Sequence, residues 1–270
     1  MDFGRILSLL SSTDLLVNGA VHRFAELEAY YHGPGHLDPF THCDPLQREN
    51  GRWYFHRSRG QYRGGSFKGL DLTFGDGTAY FGVLIRSIVA PSGAVIAGPS
   101  LAVDHLLAQT QVQSVGALDA SIGGRSVWDA SSPLAIRETL PRSVPVYASA
   151  RVGLSLKRVP IAPEAPAFIG RPYRWLTAPR SIAKGKPHLV LALHQAREGA
   201  ATIRDLTGCP RNAIDRYIAH YEEGKAATGF ERYVGKDLST AELCRLLGAW
   251  EAVYAPFLPE QMPPSISSRL

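Results

Sequence analysis

A chain of 270 residues has room for one large domain, or for one domain with a small appendage. With 45% hydrophobic and 20% charged residues, it suits a folded, soluble protein with a real core and not a disordered one. The 29 Lys and Arg against 24 Asp and Glu leave a net charge of +5, a mild lean toward polyanions that does not by itself name one. Cys43, Cys209 and Cys244 are odd in number and far apart, so they offer neither a disulfide framework nor a zinc spacing. The opening MDFGRILSLLSS has an acid at position 2 and only a short apolar run, which is no secretion signal. The best membrane candidate, YFGVLIRSIVAPSGAVIAG, is cut by Arg86, Pro91 and glycines. These features point to a cytoplasmic protein without a membrane partner.

In chain order, DFGRILSLLSSTDLLV has helical apolar spacing and predicts one or two short helices. AVHRFAELEAYY alternates: Val21, Phe24 or Ala25, Leu27 and Ala29 can lie on one side and Glu26, Glu28 and Tyr30 on the other, which predicts a strand. Residues 33–51 read as loop. RWYFHR, LDLTFG and AYFGVLIRSIVA read as strands, the last with Arg86 inside it. In AGPSLAVDHLLAQT, Ser100 takes an N-cap position and starts a helix. VPVYASARVGLSLKRVP reads as a strand pair or one long strand, and 161–182 as irregular. From 188 onward the pattern is helical, with a domain boundary near 183–187, and LPEQMPPSISSRL reads as a frayed tail. The predicted division is 1–182 and 188–258.

Several stretches carry chemistry. Arg52 to Lys68, RWYFHRSRGQYRGGSFK, holds Arg52, Arg57, Arg59, Arg63 and Lys68 with no acid, interleaved with Trp53, Tyr54, Phe55, Tyr62 and Phe67. Guanidinium groups fork onto phosphates and aromatic rings stack on bases, so this stretch suits nucleic acid or another phosphate-bearing ligand; an exposed basic hairpin is the plainer alternative. GSFKGLDLTFGDG lacks the spacing of a phosphate loop. Arg86 in VLIRSI either meets a carboxylate, with Glu28 a candidate, or reaches solvent from an edge. ATIRDLTGCPRNAIDRYIAHYEEG reads as helix, turn, helix, with Arg211, Asn212 and Arg216 near the start of the second helix; this is a helix-turn-helix or part of a plain bundle. Glu28 near His32, His36 and His42 raises a metal site, but no metal-binding helix pattern is present and none is expected.

The order ELEAYYHG, GRWYFHR, KGLDLTFG, GVLIRSI, AGPSLAVDHLL and ARVGLSL…GRPYRWLTAP resembles the alkyladenine (3-methyladenine) DNA glycosylase family over roughly residues 15 to 182. The resemblance implies an α+β fold on a curved, mainly antiparallel sheet with flanking helices, followed here by a small all-α segment the family lacks. It implies that a damaged nucleotide is flipped out of duplex DNA and its N-glycosidic bond hydrolysed. By this resemblance Glu28, before Ala29 and Tyr30, is the general base that activates water. His42 (or His36) and Arg86 help hold that water. Tyr30 stacks on the flipped base, and a second stacking aromatic falls near His56 and Tyr54. The side chain that fills the vacated place in the duplex falls at Lys68, where the family has tyrosine, so Phe67 or Tyr62 can take that work. A longer loop before His42 and the insertion SRGQYRGGSF also depart from the family's pattern.

The expected function is thus base-excision DNA repair by a monofunctional DNA N-glycosylase, a hydrolase acting on an alkylated or deaminated purine. The expected partner is double-stranded DNA containing damaged bases, bound by a nucleoid-associated monomer that needs no cofactor and no metal. Expected DNA contacts are Arg52, Arg57, Arg59, Tyr62, Arg63, Phe67, Lys68, Arg211 and Arg216. The alternatives are a DNA-binding regulator with a degenerate glycosylase domain and a helix-turn-helix, and a hydrolase of a free nucleoside, which has no need of a phosphate track.

Overall fold

The strongest alternating stretch of the sequence becomes the organising strand of a computed structural model that describes residues 3–158, 162–227 and 229–257. In chain order the strands are β1 (Thr13–Val17), β2 (Ala20–Gly33), β3 (His36–Leu37), β4 (Asn50–Phe55), β5 (Arg57–Ser58), β6 (Gln61–Tyr62), β7 (Leu70–Phe74), β8 (Tyr80–Val89), β9 (Val95–Ala97), β10 (Leu134–Glu138), β11 (Tyr147–Ser149) and β12 (Arg174–Leu176). The α-helices are α1 (Phe3–Ser11), α2 (Pro99–Thr110), α3 (Val115–Ile122), α4 (Ala165–Ile169), α5 (Lys186–Gln195), α6 (Ala200–Thr207), α7 (Arg211–Lys225) and α8 (Thr240–Tyr254). The fold is α+β, as expected. A curled antiparallel sheet has the order β10-β1-β2-β8-β7-β4, with β12 on β2 and β11 beyond it, β3 also on β2, and β9 on β8; β5 and β6 form a separate hairpin.

The long strand β2 pairs with β8 along one edge and divides its other edge between β1 and β12. The register against β8 shifts between Phe24 and Leu27. Such a bulge bends the strand and increases its twist, which helps the sheet to curl. Side chains alternate between faces, and cross-strand partners share one. One face is apolar: Leu27, Ala29, Trp53, Phe55, Leu72, Val83, Ile85 and Trp175 are buried in a core that also holds Ile6 and Leu9 of α1, Leu106 of α2 and Leu118 of α3. The opposite face is polar, and it carries the candidate site.

Several local expectations need correction. TDLLV is a strand and not a second helix: α1 stops at Ser11, and β1 buries Leu15 and Val17 between β2 and β10. Ser100 is not the cap of α2. Gly98 is, with Pro99 in the first turn, and the Ser100 hydroxyl donates to the Gly65 carbonyl at 2.8 Å. Of the stretch around VPVYASARVG, only Tyr147–Ser149 is a strand. The 161–182 region contains α4 and the short β12. The segment LPEQMPPSISSRL lies outside the described residues.

The helices α5 to α8 do not stand apart from the sheet. Tyr147 of β11 and Leu176 of β12 share an apolar cluster with Leu189, Val190 and Leu193 of α5, Ile203 of α6 and Ile214 of α7. Helices α7 and α8 meet so closely that a Cβ on Gly224 would lie 2.0 Å from the Arg245 carbonyl oxygen, and one on Gly248 2.0 Å from that of Tyr221. No helix among the described residues is long and apolar enough to cross a membrane.

On α5, His188 is 7% exposed, and its Nδ1 has no hydrogen-bond partner among the described residues. Burial, with Arg174 and Arg86 adding to it, holds its pKa down to about 3.

Gly248→Ala should therefore cost about 1–3 kcal/mol of stability, because the obstacle is backbone and cannot rotate away. Urea denaturation measures it, and an unchanged midpoint would contradict the close packing. A second expectation concerns acid. The unfolded chain protonates His188 near 6.5 and the folded chain only near 3, so the unfolded state binds more protons and stability falls as pH drops through that window. His22, His36 and His105 shift the same way, so the effect is isolated by difference. His188→Gln should reduce the slope of stability against pH by up to about 1.4 kcal/mol per pH unit.

Candidate active site

The polar face is assembled by strand register. Arg174 pairs with Glu28, Glu28 with Leu84, Leu84 with Asp71, and Asp71 with Tyr54, so one transverse row crosses β12, β2, β8, β7 and β4. Alternation adds Glu26 and Tyr30 on either side of Glu28, Arg86 beside Leu84, and His56 beyond Tyr54.

Two carboxylates and two guanidinium groups fill the buried end of this face. Arg86 Nε donates to Glu26 Oε1 at 3.1 Å and its Nη1 to Glu28 Oε2 at 3.2 Å. Arg174 Nε donates to Glu26 Oε1 at 2.6 Å, and the Ser87 hydroxyl to Glu26 Oε2 at 2.5 Å. Burial alone would raise the Glu26 pKa; Arg174 and Arg86 outweigh it and hold the carboxyl below its usual range. Burial opposes the charge of Arg86 as well, but Glu28 and Glu26 raise its pKa further. The expectation of a carboxylate partner for Arg86 is met by two. Glu26 is buried and paired with both guanidinium groups.

Glu28 is fully buried and accepts from three donors. The Val152 backbone N–H donates to Oε1 at 2.7 Å, and the Tyr30 hydroxyl donates to Oε2 at 2.8 Å, alongside Arg86. Burial, with Glu28 beside it, keeps the Tyr30 phenol well above its ordinary pKa, so it is a neutral donor. Tyr30 also walls a cleft of about 880 Å³, within the size range of small-ligand sites. Phe40, His42, Tyr54 and His56 line the same cleft, and Arg57, Arg59, Arg63 and Lys157 make it basic.

Behind Tyr30, Arg151 forms a fully buried ion pair with Asp38 at 2.6 Å and donates to the Ala29 carbonyl at 3.0 Å. Its guanidinium lies 4.6 Å from the centre of the Tyr30 ring. The stack and the ion pair tie the loop after β2 to the strand that carries Glu28.

No protein-family model matches the chain. A protein of Acanthamoeba polyphaga mimivirus, uncharacterized protein L759, is 33% identical over 201 residues, which cover 67% of this chain and 88% of the viral one. The chain belongs to the L759 family. The viral protein's name states no activity, so for this member of the L759 family function has to be argued from the site.

The remaining predicted residues divide among different places. His42 lies with Tyr54 and His56: Tyr54 Oη is 3.2 Å from His42 Nδ1, and the two imidazoles are 4.3 Å apart between centres. His36 is off the cleft, with Nε2 at 2.8 Å from the Tyr173 hydroxyl and Nδ1 at 2.9 Å from the Tyr31 carbonyl. Arg57 and Tyr62 are both anchored to Asp119 of α3, and Lys68 to Asp104 of α2. Arg52 is held by Glu49 and by the Gly124 carbonyl. Phe67 projects, 74% exposed. Arg211 pairs with Asp215 on α7 and Arg216 is exposed; neither lines the cleft. Among the described residues no group of three or more His, Cys, Asp or Glu side chains could hold a metal ion.

Sequence reasoning passed over Arg174, Arg151, Asp38 and Asp71. Asp71 carried the same signal as Arg86, a charge inside an apolar strand, in GLDLTF.

Asp38→Asn should leave the buried Arg151 charge without its partner and cost about 3–5 kcal/mol in urea denaturation. A loss of only a few tenths would mean that the pair does not hold the loop.

Proposed function

We propose that this protein is a monofunctional DNA N-glycosylase that flips a damaged purine out of duplex DNA and hydrolyses its N-glycosidic bond. The observation that carries the reading is the direct link from Glu28 through the Tyr30 hydroxyl to the wall of an aromatic, basic cleft. A flipped base enters the cleft and stacks against Tyr30, with Tyr54 and His56 beyond it. Its entry shifts the Tyr30 ring, and the hydroxyl with it, off Oε2 and admits a water between Glu28 and Arg86. Glu28 takes a proton from that water as the oxygen bonds to C1′, and the C1′–N bond breaks with its electron pair going to the base. Arg59 and Arg63, at the cleft, meet backbone phosphates. Phe67 fills the vacated place in the duplex, since Tyr62 and Lys68 are tied to helix carboxylates. The protein works as a monomer on chromosomal DNA in the cytoplasm.

A second reading is a DNA-binding regulator with a degenerate glycosylase domain. The observation that favours it is the closure of Glu28, which is wholly buried and holds three donors.

Duplex oligonucleotides with a single hypoxanthine, ethenoadenine, 3-methyladenine or 7-methylguanine separate the two. Wild type should release base from at least one of them. Glu28→Gln should slow that release by about 10²–10⁴-fold and keep duplex binding. Equal release by both proteins would sink the mechanism. Tight binding by wild type with no release from any lesion would establish the regulator.

A further inference from the structure

The helices on either side of Gly208 take no part in the cleft, and they are joined as a helix-turn-helix unit is joined. Helix α6 ends at Gly208, which is left-handed (φ 71°) and donates its N–H to the Arg204 carbonyl at 2.7 Å; after Cys209 and Pro210, α7 begins at Arg211. A short turn with a left-handed glycine is the connection such units use. Cys209, inside the turn, packs with Ile203 of α6, Ile214 of α7 and Leu189, Val190 and Leu193 of α5. Lys186 Nζ donates to the Thr207 carbonyl and Arg180 Nη1 to the Asp205 carbonyl, and Val95 and Ala97 of β9 pack against the same cluster, so the unit is fastened to the sheet. Helix α7 meets α8 through its second half, at Tyr221 and Gly224. In its first half Arg211, Asn212, Asp215, Arg216 and Ala219 are exposed. Neither Asn212 nor Arg216 makes a side-chain hydrogen bond or ion pair among the described residues. Charge is concentrated at this end: residues 180–216 hold seven Lys and Arg against three Asp and Glu, whereas 217–257 hold four against six.

We propose that α6 and α7 lay the first half of α7 in the major groove of duplex DNA and read base sequence there with Asn212 and Arg216, so that the protein is directed to a preferred sequence independently of what occupies its cleft. This does not rest on the glycosylase reading. The groove edge of each base pair carries its own pattern of donors and acceptors. An asparagine amide matches adenine N6 and N7, and an arginine fork matches guanine O6 and N7. In helix-turn-helix proteins the residues that reach base edges stand at the start of the second helix, where Asn212 and Arg216 stand. The exposed Arg180, beside the turn, and Arg204 of α6 meet backbone phosphates, which position the unit without reading sequence. Arg211 joins them by leaving Asp215, its exposed and therefore weakly held partner.

The test uses the full chain and undamaged duplexes, so that base excision plays no part. Repeated selection from a library of random duplexes should enrich one short sequence, which wild type then binds about 10³-fold more tightly than an unrelated duplex at the same salt. Asn212→Ala, which changes no charge, should reduce that ratio by about 5- to 100-fold and leave binding to the unrelated duplex as it was. Arg216→Ala should reduce the ratio in the same range. Arg180→Ala and Arg204→Ala should weaken both duplexes alike and lower the salt slope by about 1 each. All four side chains are exposed, which spares the fold, and Glu28→Gln should keep the full preference. Selection that enriches no sequence, or a preference that survives both Asn212→Ala and Arg216→Ala, overturns the assignment, makes α6 and α7 part of a plain bundle and leaves the glycosylase reading standing. A protein that shows the whole pattern and releases no base from any lesion overturns the glycosylase reading and upholds this one.

Discussion

Arg86 is the constraint around which the polar face of this protein is arranged. A guanidinium inside a sheet is tolerated only when its donors are met, because an unpaired buried charge costs several kcal/mol. Arg86 meets Glu26 and Glu28 on the neighbouring strand. That leaves one more acid than base, and Arg174 of β12 restores the balance through Glu26. Each member is stabilised by the others, so removing one exposes the rest to their desolvation cost. This explains why β12, only three residues long, is laid against β2 where it is: its Arg174 is the cross-strand partner of Glu28 and reaches Glu26.

The two-residue period of strands then does the sorting. Because one face of the sheet buries a large apolar core, the register of every strand is fixed, and a slip of a single residue would carry Glu28 and Asp71 into it. The hydrophobic core thus positions the polar site indirectly, by making its register the only one that keeps both faces satisfied. The helices have two tasks in this arrangement. Those on the apolar side close the core, whereas α5 packs against β11 and β12 and brings His188 close to Arg174 and Arg86. A neutral imidazole is the compatible choice there, since a third cation would upset a balanced quartet.

Much of this was legible in the sequence where the information is local. The alternation of AVHRFAELEAYY gave β2 with Glu26, Glu28 and Tyr30 on one side, and an Arg inside VLIRSI asked for a carboxylate and met two. Helix, turn, helix from Ala200 to Lys225 was visible in its spacing and its Gly208–Pro210 break. What escaped was set only in part by contacts distant in the chain. β1 reads as a helix continuation because the apolar pair Leu15 and Leu16 fits either period; the deciding local signal is the two-residue turn Asn18–Gly19, both at positive φ, which folds β1 onto β2, while β10 pairs on its other edge. Arg151 and Asp38 are 113 residues apart, and nothing in either local pattern announces the other. Asp71 was legible in principle, as a charge inside the strand LDLTFG, but its partners His56 and Gln47 are not.

The closed state of Glu28 has a physical logic on the proposed reading. A carboxylate open to an empty, water-filled cleft would be solvated by bulk water and screened by salt, and its field at a reacting centre would be weak. Covered by the Tyr30 hydroxyl, it stays dry and oriented by Arg86 and the Val152 N–H. The cover is a single neutral hydrogen bond from a phenol whose pKa is raised, so Tyr30 can donate to Glu28 without competing with it for a proton. Moving that one group costs little beside the burial of an aromatic base against the same ring. Arg151, 4.6 Å from the centre of the Tyr30 ring and held by Asp38, is the contact against which the ring would shift as its hydroxyl leaves Oε2. Occupancy of the cleft by a base, and not by solvent, is then what frees Oε2, which ties the availability of the general base to the presence of something to cleave.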